Sequence, residues 1–257
     1  MNYKTISCLA TALVICIAGL AQQPDHTATE FYTPVPKMVT PGKTSSNDAP
    51  SDAIILFGGK NLDGWVSTNN PSNSANWPVS EGMFTVNKKA GNIQTKQNFT
   101  NYQLHLEWRI PADITGTGQL RGNSGVFLAG TGPGDDGYEI QILDCYNNST
   151  YVNGQTGSVY KQFVPLANAC RKPGEWQTYD IIWTAPVFNT DGSLKSAARV
   201  TVIHNGVLLQ NNVELTGQTV YVGQPRYKSH GPAPIKLQSH GDKSEPISFR
   251  NIWVREL

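Results

Sequence analysis

The sequence predicts an all-β domain, a sandwich or barrel of antiparallel strands. Three observations carry that expectation. Short stretches of alternating apolar and polar residues recur from Ala53 onward, each bounded by Gly, Pro, Asn or Asp. No amphipathic run of helical length interrupts them. The pair Asn205-Gly206, between RVTVIH and VLLQ, is a strong signal for a two-residue hairpin turn.

In chain order the stretches are MFTV (83–86), YQLHLEWRI (102–110), SGVFLAG (124–130), YEIQILD (138–144), WQTYDIIWT (176–184), ARVTVIHNGVLL (198–209), PIKLQ (234–238) and ISFRNIWVREL (247–257). With no internal repeat and no second break in composition, residues 51–257 read as one domain. Residues 22–50 hold Pro24, Pro34, Pro36, Pro41 and Pro50 among Ser, Thr and Asn, and read as a tether without structure of its own. Residues 1–21 carry Lys4 in a short polar head, an apolar run, and Gly19-Leu20-Ala21 with small residues where a signal peptidase cuts. The segment is too short for a stable membrane span and marks the protein for export, to the periplasm or the medium. A lipid anchor on Cys16 is the competing reading, disfavoured by the apolar run that continues past it.

The formal charge of +1 gives no field to steer nucleic acid or an anionic membrane, and no basic run with interleaved aromatics appears. Export removes Cys8 and Cys16 and leaves Cys145 and Cys170, which read as a disulfide pair, with two separate thiols as the alternative. Closing a loop of 24 intervening residues is worth about 3–4 kcal/mol on the chain-entropy account. No CxxC or HxxxH spacing points to zinc.

Side chains alternate along a strand, so parity sorts them into faces. Leu104, Leu106, Trp108 and Ile110 make one face of YQLHLEWRI, and Gln103, His105, Glu107 and Arg109 the other. Tyr138, Ile140 and Ile142 oppose Glu139 and Gln141, and Ile235 and Leu237 oppose Lys236, Gln238 and His240. Polar faces of Glu, Gln, His and Arg beside Trp176 suit sugar hydroxyls better than they suit plain solvent. Asp144 has the wrong parity to join Glu139 and Gln141, and a one-residue bulge would bring it onto their face. The row would then be similar to the E-x-D-x-x-E strand of laminarinase- and lichenase-type β-glucanases, with Gln141 and Asp144 in place of two acids.

A broader resemblance covers nearly all of residues 54–257. The blocks that carry it are LFGGKNLDGW (56–65), WPVSEGMFTV (77–86), NYQLHLEWRIP (101–111), GNSGVFL (122–128), YEIQILD, NGQTGSVYKQ (153–162), PGEWQTYDIIW (173–183), RVTVIHNGVLLQ (199–210), HGP (230–232), KLQSHG (236–241) and FRNIWVREL (249–257). The chain resembles the 3-keto-disaccharide hydrolase family, also described as 3-keto-glucoside 1,2-lyase/2-hydroxy-3-keto-glucal hydratase. The resemblance implies a concanavalin A-like jelly-roll sandwich of two antiparallel sheets. It also implies a substrate oxidised at C3 by a separate sugar oxidoreductase, and a reaction that needs no nucleotide cofactor. Many members of that family have Ser where this chain has Cys145 and Cys170, and the joint change supports their pairing.

A ketone at C3 acidifies the C2 proton, so the chemistry needs a base near C2, an acid near the glycosidic oxygen and donors near the C3 oxygen. Glu139, Asp144 and His240 are the candidate base and acid, with Asp144 alternatively capping the Tyr146-Asn147-Asn148 turn. Glu107, Arg109, Asn123, Gln141, Gln155, Lys161, Trp176 and Gln238 are candidate substrate contacts. His105, Glu107, Glu139 and His240 together could hold a divalent metal at the C3 oxygen. His204, just before the Asn-Gly turn, reads as a surface hairpin residue. A non-catalytic carbohydrate-binding module and a direct glycoside hydrolase acting on unoxidised β-glucosides are the alternative functions, the latter needing two suitably spaced carboxyls.

Overall fold

A computed structural model describes residues 25–38, 49–241 and 246–257. The signal segment and Cys16 lie outside the described residues. Two antiparallel sheets make the domain, one of eight strands and one of five. Among the described residues there is no α-helix, only three short 3-10 turns. This is a sandwich consistent with the expected jelly roll.

Parity along the strands decides what goes inside. The strand Tyr102–Arg109 lies in the eight-stranded sheet between Trp176–Thr184 and Ser248–Glu256. It turns Leu104, Leu106 and Trp108 into the core against Tyr179, Ile181, Trp183 and Phe249. From the five-stranded sheet, Tyr138, Ile140 and Ile142 of Gly137–Ile142 meet them, with Val126 and Leu128 of Ser124–Gly130 and Ile235 and Leu237 of Ala233–Leu237. Burying aliphatic and aromatic side chains of that size contributes about 1.5–3 kcal/mol each and dominates the stability of the sandwich. The Asn205-Gly206 pair makes the expected turn, with φ of 52° and 81° and His204 paired to Val207 across it.

Three placements differ from the sequence reading. His204 is fully buried: it stacks on Trp108 at 5.7 Å and meets Gln177 Oε1 at 3.2 Å. Burial holds its pKa down at about 3, so the ring is neutral. The strand Ile93–Phe99 (IQTKQNF) sits inside the five-stranded sheet although it lacks continuous apolar alternation. Its neighbours on both sides supply the ladder that its own pattern does not announce. Part of the presumed tether also packs on the domain. Residues 25–38 carry the 3-10 turn His26–Thr29 and the strand Lys37–Met38, which pairs in parallel with Ala167–Asn168. Beyond the local bonds of the 3-10 turn, partners more than a hundred residues away hold this segment, so no local periodicity marks it.

Candidate active site

On the outer face of the five-stranded sheet lies a pocket of about 830 Å³. Its floor is built by the parity of two strands and the loops that leave them. Glu139 and Gln141 point outward because Tyr138, Ile140 and Ile142 point inward. Gln238 and His240 follow Ala233–Leu237, and Asn123 immediately precedes Ser124–Gly130. The walls come from irregular segments. The turn Gly118–Leu120 makes one side. Ser149, Thr150, Tyr151 and Tyr160 make another, with Thr219 and Tyr221 beside them. Asp135 closes one corner, and His26, Glu30 and Tyr32 of the N-terminal segment complete the lining.

Glu139 is the group with the most unusual surroundings. It is 4% exposed, and among the described residues no hydrogen-bond donor reaches its carboxyl. Burial pushes its pKa well above the ordinary carboxylate range, and the neighbouring Asp135 charge pushes the same way. The carboxyl fits because position 125 is glycine. A Cβ there would lie 2.4 Å from Glu139 Oε1. A carboxyl raised in this way holds its proton more tightly than an ordinary carboxylate and is a stronger base once ionised, which suits general acid–base catalysis.

The amides around it are fixed by a relay. Gln141 Nε2 donates to Asn123 Oδ1 at 2.9 Å, Asn123 Nδ2 donates to the Gln119 carbonyl at 2.8 Å, and Gln119 Nε2 donates to Thr150 Oγ1 at 2.9 Å. Gln238 is 5% exposed, and its Oε1 accepts no hydrogen bond among the described residues. A buried acceptor left open beside a pocket matches a ligand hydroxyl. The Tyr151 and Tyr160 hydroxyls share a hydrogen bond of 2.7 Å, and burial raises both pKa values. The Asp135 corner depends on Lys236, whose ammonium donates to the carbonyls of Gly132, Gly134 and Asp136 at 2.9, 2.8 and 3.0 Å. Burial lowers that lysine to about 8.

The structure therefore gathers Glu139, Gln141, Asn123, Gln238 and His240 and scatters the other candidates. Asp144 does not line the pocket. The strand ends at Ile142 with regular pairing from Glu139 to Ile142, and the register shift falls before Glu139, between Phe127 and Gly130 on the partner strand. Without a bulge after Gln141, Asp144 accepts from Tyr146 N at 3.0 Å and pairs with Arg121 Nε at 2.7 Å. Gln155 does not line the pocket. Lys161 spends its ammonium on the carbonyls of His26 and Tyr221, at 3.0 and 2.9 Å.

Glu107, Arg109 and Trp176 belong to the outer face of the other sheet. Glu107 is held by Arg250 Nε at 2.6 Å and Asn251 Nδ2 at 2.9 Å. Desolvation is the largest influence on it, but the combined bonds from His105, Asn251 and Arg250 outweigh it and bring the carboxyl down to about 2. Two guanidiniums pack over the Trp176 ring, Arg109 at 4.7 Å and Arg250 at 4.0 Å. His105 bonds Asp180 at 2.8 Å and stacks on Trp253. The imagined metal set is thus split, His105 and Glu107 on one sheet and Glu139 and His240 on the other. Among the described residues no group of three or more His, Cys, Asp or Glu is arranged to hold a metal.

Cys145 and Cys170 form a disulfide with Cα atoms 5.8 Å apart. It closes the base of the loop that carries Ser149, Thr150, Tyr151 and Tyr160 into the wall. Sequence reasoning missed those tyrosines, Asp135, Gln119, Thr219, Tyr221 and the N-terminal residues. All sit in irregular backbone, where no alternation sorts one side chain from the next.

Residues 52–255 match the family model of the 3-keto-alpha-glucoside-1,2-lyase-like domain. A crystal structure of a provisionally assigned glycosyl hydrolase from Parabacteroides distasonis is 59% identical, covers 91% of this chain and 97% of its own, and superposes with a TM-score of 0.78. Two further provisionally assigned glycosyl hydrolases from that organism, 21% and 24% identical, share the fold with TM-scores of 0.56. Each covers 80% of this chain, and 94% and 99% of their own lengths are matched. No curated protein sequence matches the chain.

Proposed function

The chain belongs to the 3-keto-alpha-glucoside-1,2-lyase-like family, and from that premise we propose that it cleaves 3-keto-glucosides by elimination and hydration, with Glu139 as the base at C2. Family and neighbours together support a carbohydrate-active enzyme. The observation that carries the finer reading is the Glu139 carboxyl: buried, without a protein donor among the described residues, raised in pKa and set in the floor of a polar pocket.

The carboxylate removes the C2 proton, made acidic by the C3 ketone, and the electron pair forms an enediolate. Its collapse makes the C1–C2 double bond and breaks the C1–oxygen bond. The leaving oxygen takes a proton from a pocket donor, for which His240 and the Tyr151–Tyr160 hydroxyl pair are placed in or around the lining. Water then adds across the double bond, hydroxyl to C1 and proton to C2, so the sum is hydrolysis. Gln141 and Gln238 orient sugar hydroxyls in this scheme. A separate oxidoreductase that oxidises the sugar at C3 supplies the substrate. The proton transfers call for no nucleotide, and a divalent metal is left as the variable an EDTA arm tests. A disulfide and the sequence of residues 1–21 support export. No helix among the described residues is long and apolar enough to cross a membrane.

The test is aglycone release from 4-nitrophenyl α- and β-glucosides and their 3-keto counterparts, with and without EDTA and in deuterated water. Turnover of the keto compounds alone, with deuterium entering C2, is expected. Glu139→Gln should lower it by about 10²–10⁴-fold. Equal turnover of the unoxidised glucosides, or cleavage without C2 exchange, defeats the elimination. Binding without turnover leaves a carbohydrate-binding module.

A further inference from the structure

The family match begins at residue 52, yet His26, Glu30 and Tyr32 line the pocket. Several bonds fasten their segment to the disulfide-closed loop. Phe31 N donates to Asn153 Oδ1 at 3.1 Å, Asn153 Nδ2 donates to the Thr29 carbonyl at 2.8 Å, and Val152 N donates to the Phe31 carbonyl at 2.6 Å. Asn153 is fully buried, and its side-chain amide serves this segment at both ends. An interior amide would lose both partners if the segment left, and a buried polar group without partners is strongly disfavoured. The Lys161 ammonium adds a fourth bond, to the His26 carbonyl. The docked position is therefore built into the body of the domain.

Depth separates the roles of floor and rim. Glu139, at 4% exposure, is at the bottom, while Tyr32 and Tyr221 are 60% and 58% exposed. A sugar whose C2 meets Glu139 puts its reacting ring on the floor and its glycosidic substituent toward the rim. Aromatic surface waits there. His26 stacks on Tyr221 at 5.2 Å. The Tyr32 hydroxyl donates to Glu30 at 2.8 Å and its ring makes a T-shaped contact with Tyr151 at 6.4 Å, while most of the residue stays open to solvent.

We propose that residues 25–38 form the leaving-group wall of the site, with Tyr32 as a specificity-determining residue that selects substrates whose aglycone is itself a flat-faced ring, aryl or sugar. This rests on the reading of Glu139 as the base at C2. A ring stacked on an aromatic face gains about 0.5–1.5 kcal/mol beyond simple burial, whereas a methyl aglycone gains almost nothing from it.

The test compares 4-nitrophenyl and methyl 3-keto-glucosides. The ratio of their kcat/KM values should fall about two- to tenfold in Tyr32→Ala and stay at the wild-type value in Tyr32→Phe, which keeps the ring. Thermal melts of all three proteins check that the fold is intact. An unchanged ratio in Tyr32→Ala overturns the wall. If the wild type turns over neither keto compound, the reaction assigned above has failed, and the wall is judged by calorimetric binding of the same two compounds. A nitrophenyl preference lost in Tyr32→Ala supports it, and equal wild-type affinities, or no binding of either compound, overturn it.

Discussion

Gly125→Ala separates the placing of the catalytic carboxyl from the stability of the fold. Gly125 lies in the strand Ser124–Gly130, paired across from Gln141, and its φ is not in the left-handed region. An added methyl is therefore unstrained by the backbone, and alanine inside a strand is favoured over glycine by about 0.5–1 kcal/mol. What the methyl meets is Glu139: its Oε1 at 2.4 Å and its Cγ and Cδ at 3.0 Å. The carboxyl must retreat by about 1 Å to reach ordinary contact, and the open pocket gives it somewhere to go. A misplacement of about 1 Å costs on the order of 10²-fold in rate. Gly125→Ala should thus lower kcat on a 4-nitrophenyl 3-keto-glucoside by about 10²-fold while the denaturation midpoint holds or rises. Chemical denaturation and initial rates on one preparation decide it. Wild-type turnover in a variant whose structure shows the displaced carboxyl refutes the argument that Glu139 works from that position. Collapse of stability refutes the argument that the pocket absorbs the clash.

Two further outcomes follow from the titrations. Glu139 has its pKa raised in the folded state, so the folded protein holds a proton that the unfolded chain gives up as pH rises above about 4.5. The group therefore weakens the fold progressively above that pH, and Glu139→Gln should be more stable than the wild type at pH 8 with the gap closing below pH 4.5, as thermal melts across pH will show; a constant gap contradicts this. Glu107 is the opposite case, lowered from 4.5 to about 2. Its contribution is present above pH 4.5 and is lost as pH falls toward 2, by about 2 kcal/mol once screening at the half-exposed Arg250 is allowed for. Glu107→Gln should remove that part of the acid sensitivity and leave turnover unaffected, because Glu107 lies on the other sheet; acid titrations of unfolding that coincide with the wild type count against it.

Much of the site's floor was readable from parity alone. Tyr138, Ile140 and Ile142 demanded an apolar side, so Glu139 and Gln141 had to leave by the other, and the same logic placed Gln238 and His240. Parity could not say which sheet a strand joins. Glu107 carries the same carboxyl as Glu139, and it and Arg109 face outward as expected, but from the far side of the sandwich. Nor could it say where a strand stops: Asp144 is two residues past the end of regular pairing, and its carboxylate went to Arg121 and a turn amide.

Local alternation, turn residues and the two cysteines determined an all-β chain, the faces of its strands, the Asn205-Gly206 hairpin and the pairing of Cys145 with Cys170. These depend on neighbours in sequence or on a compartment's chemistry, and both can be read from the chain. Only tertiary structure decided that the carboxyl above Gly125 is buried without a donor among the described residues, that tyrosines from the disulfide-closed loop stand around it, and that residues 26–32 close the rim. Each of those facts is a meeting of segments remote in sequence. Desolvation, which gives Glu139 its raised pKa, belongs to the space they enclose and not to any one of them.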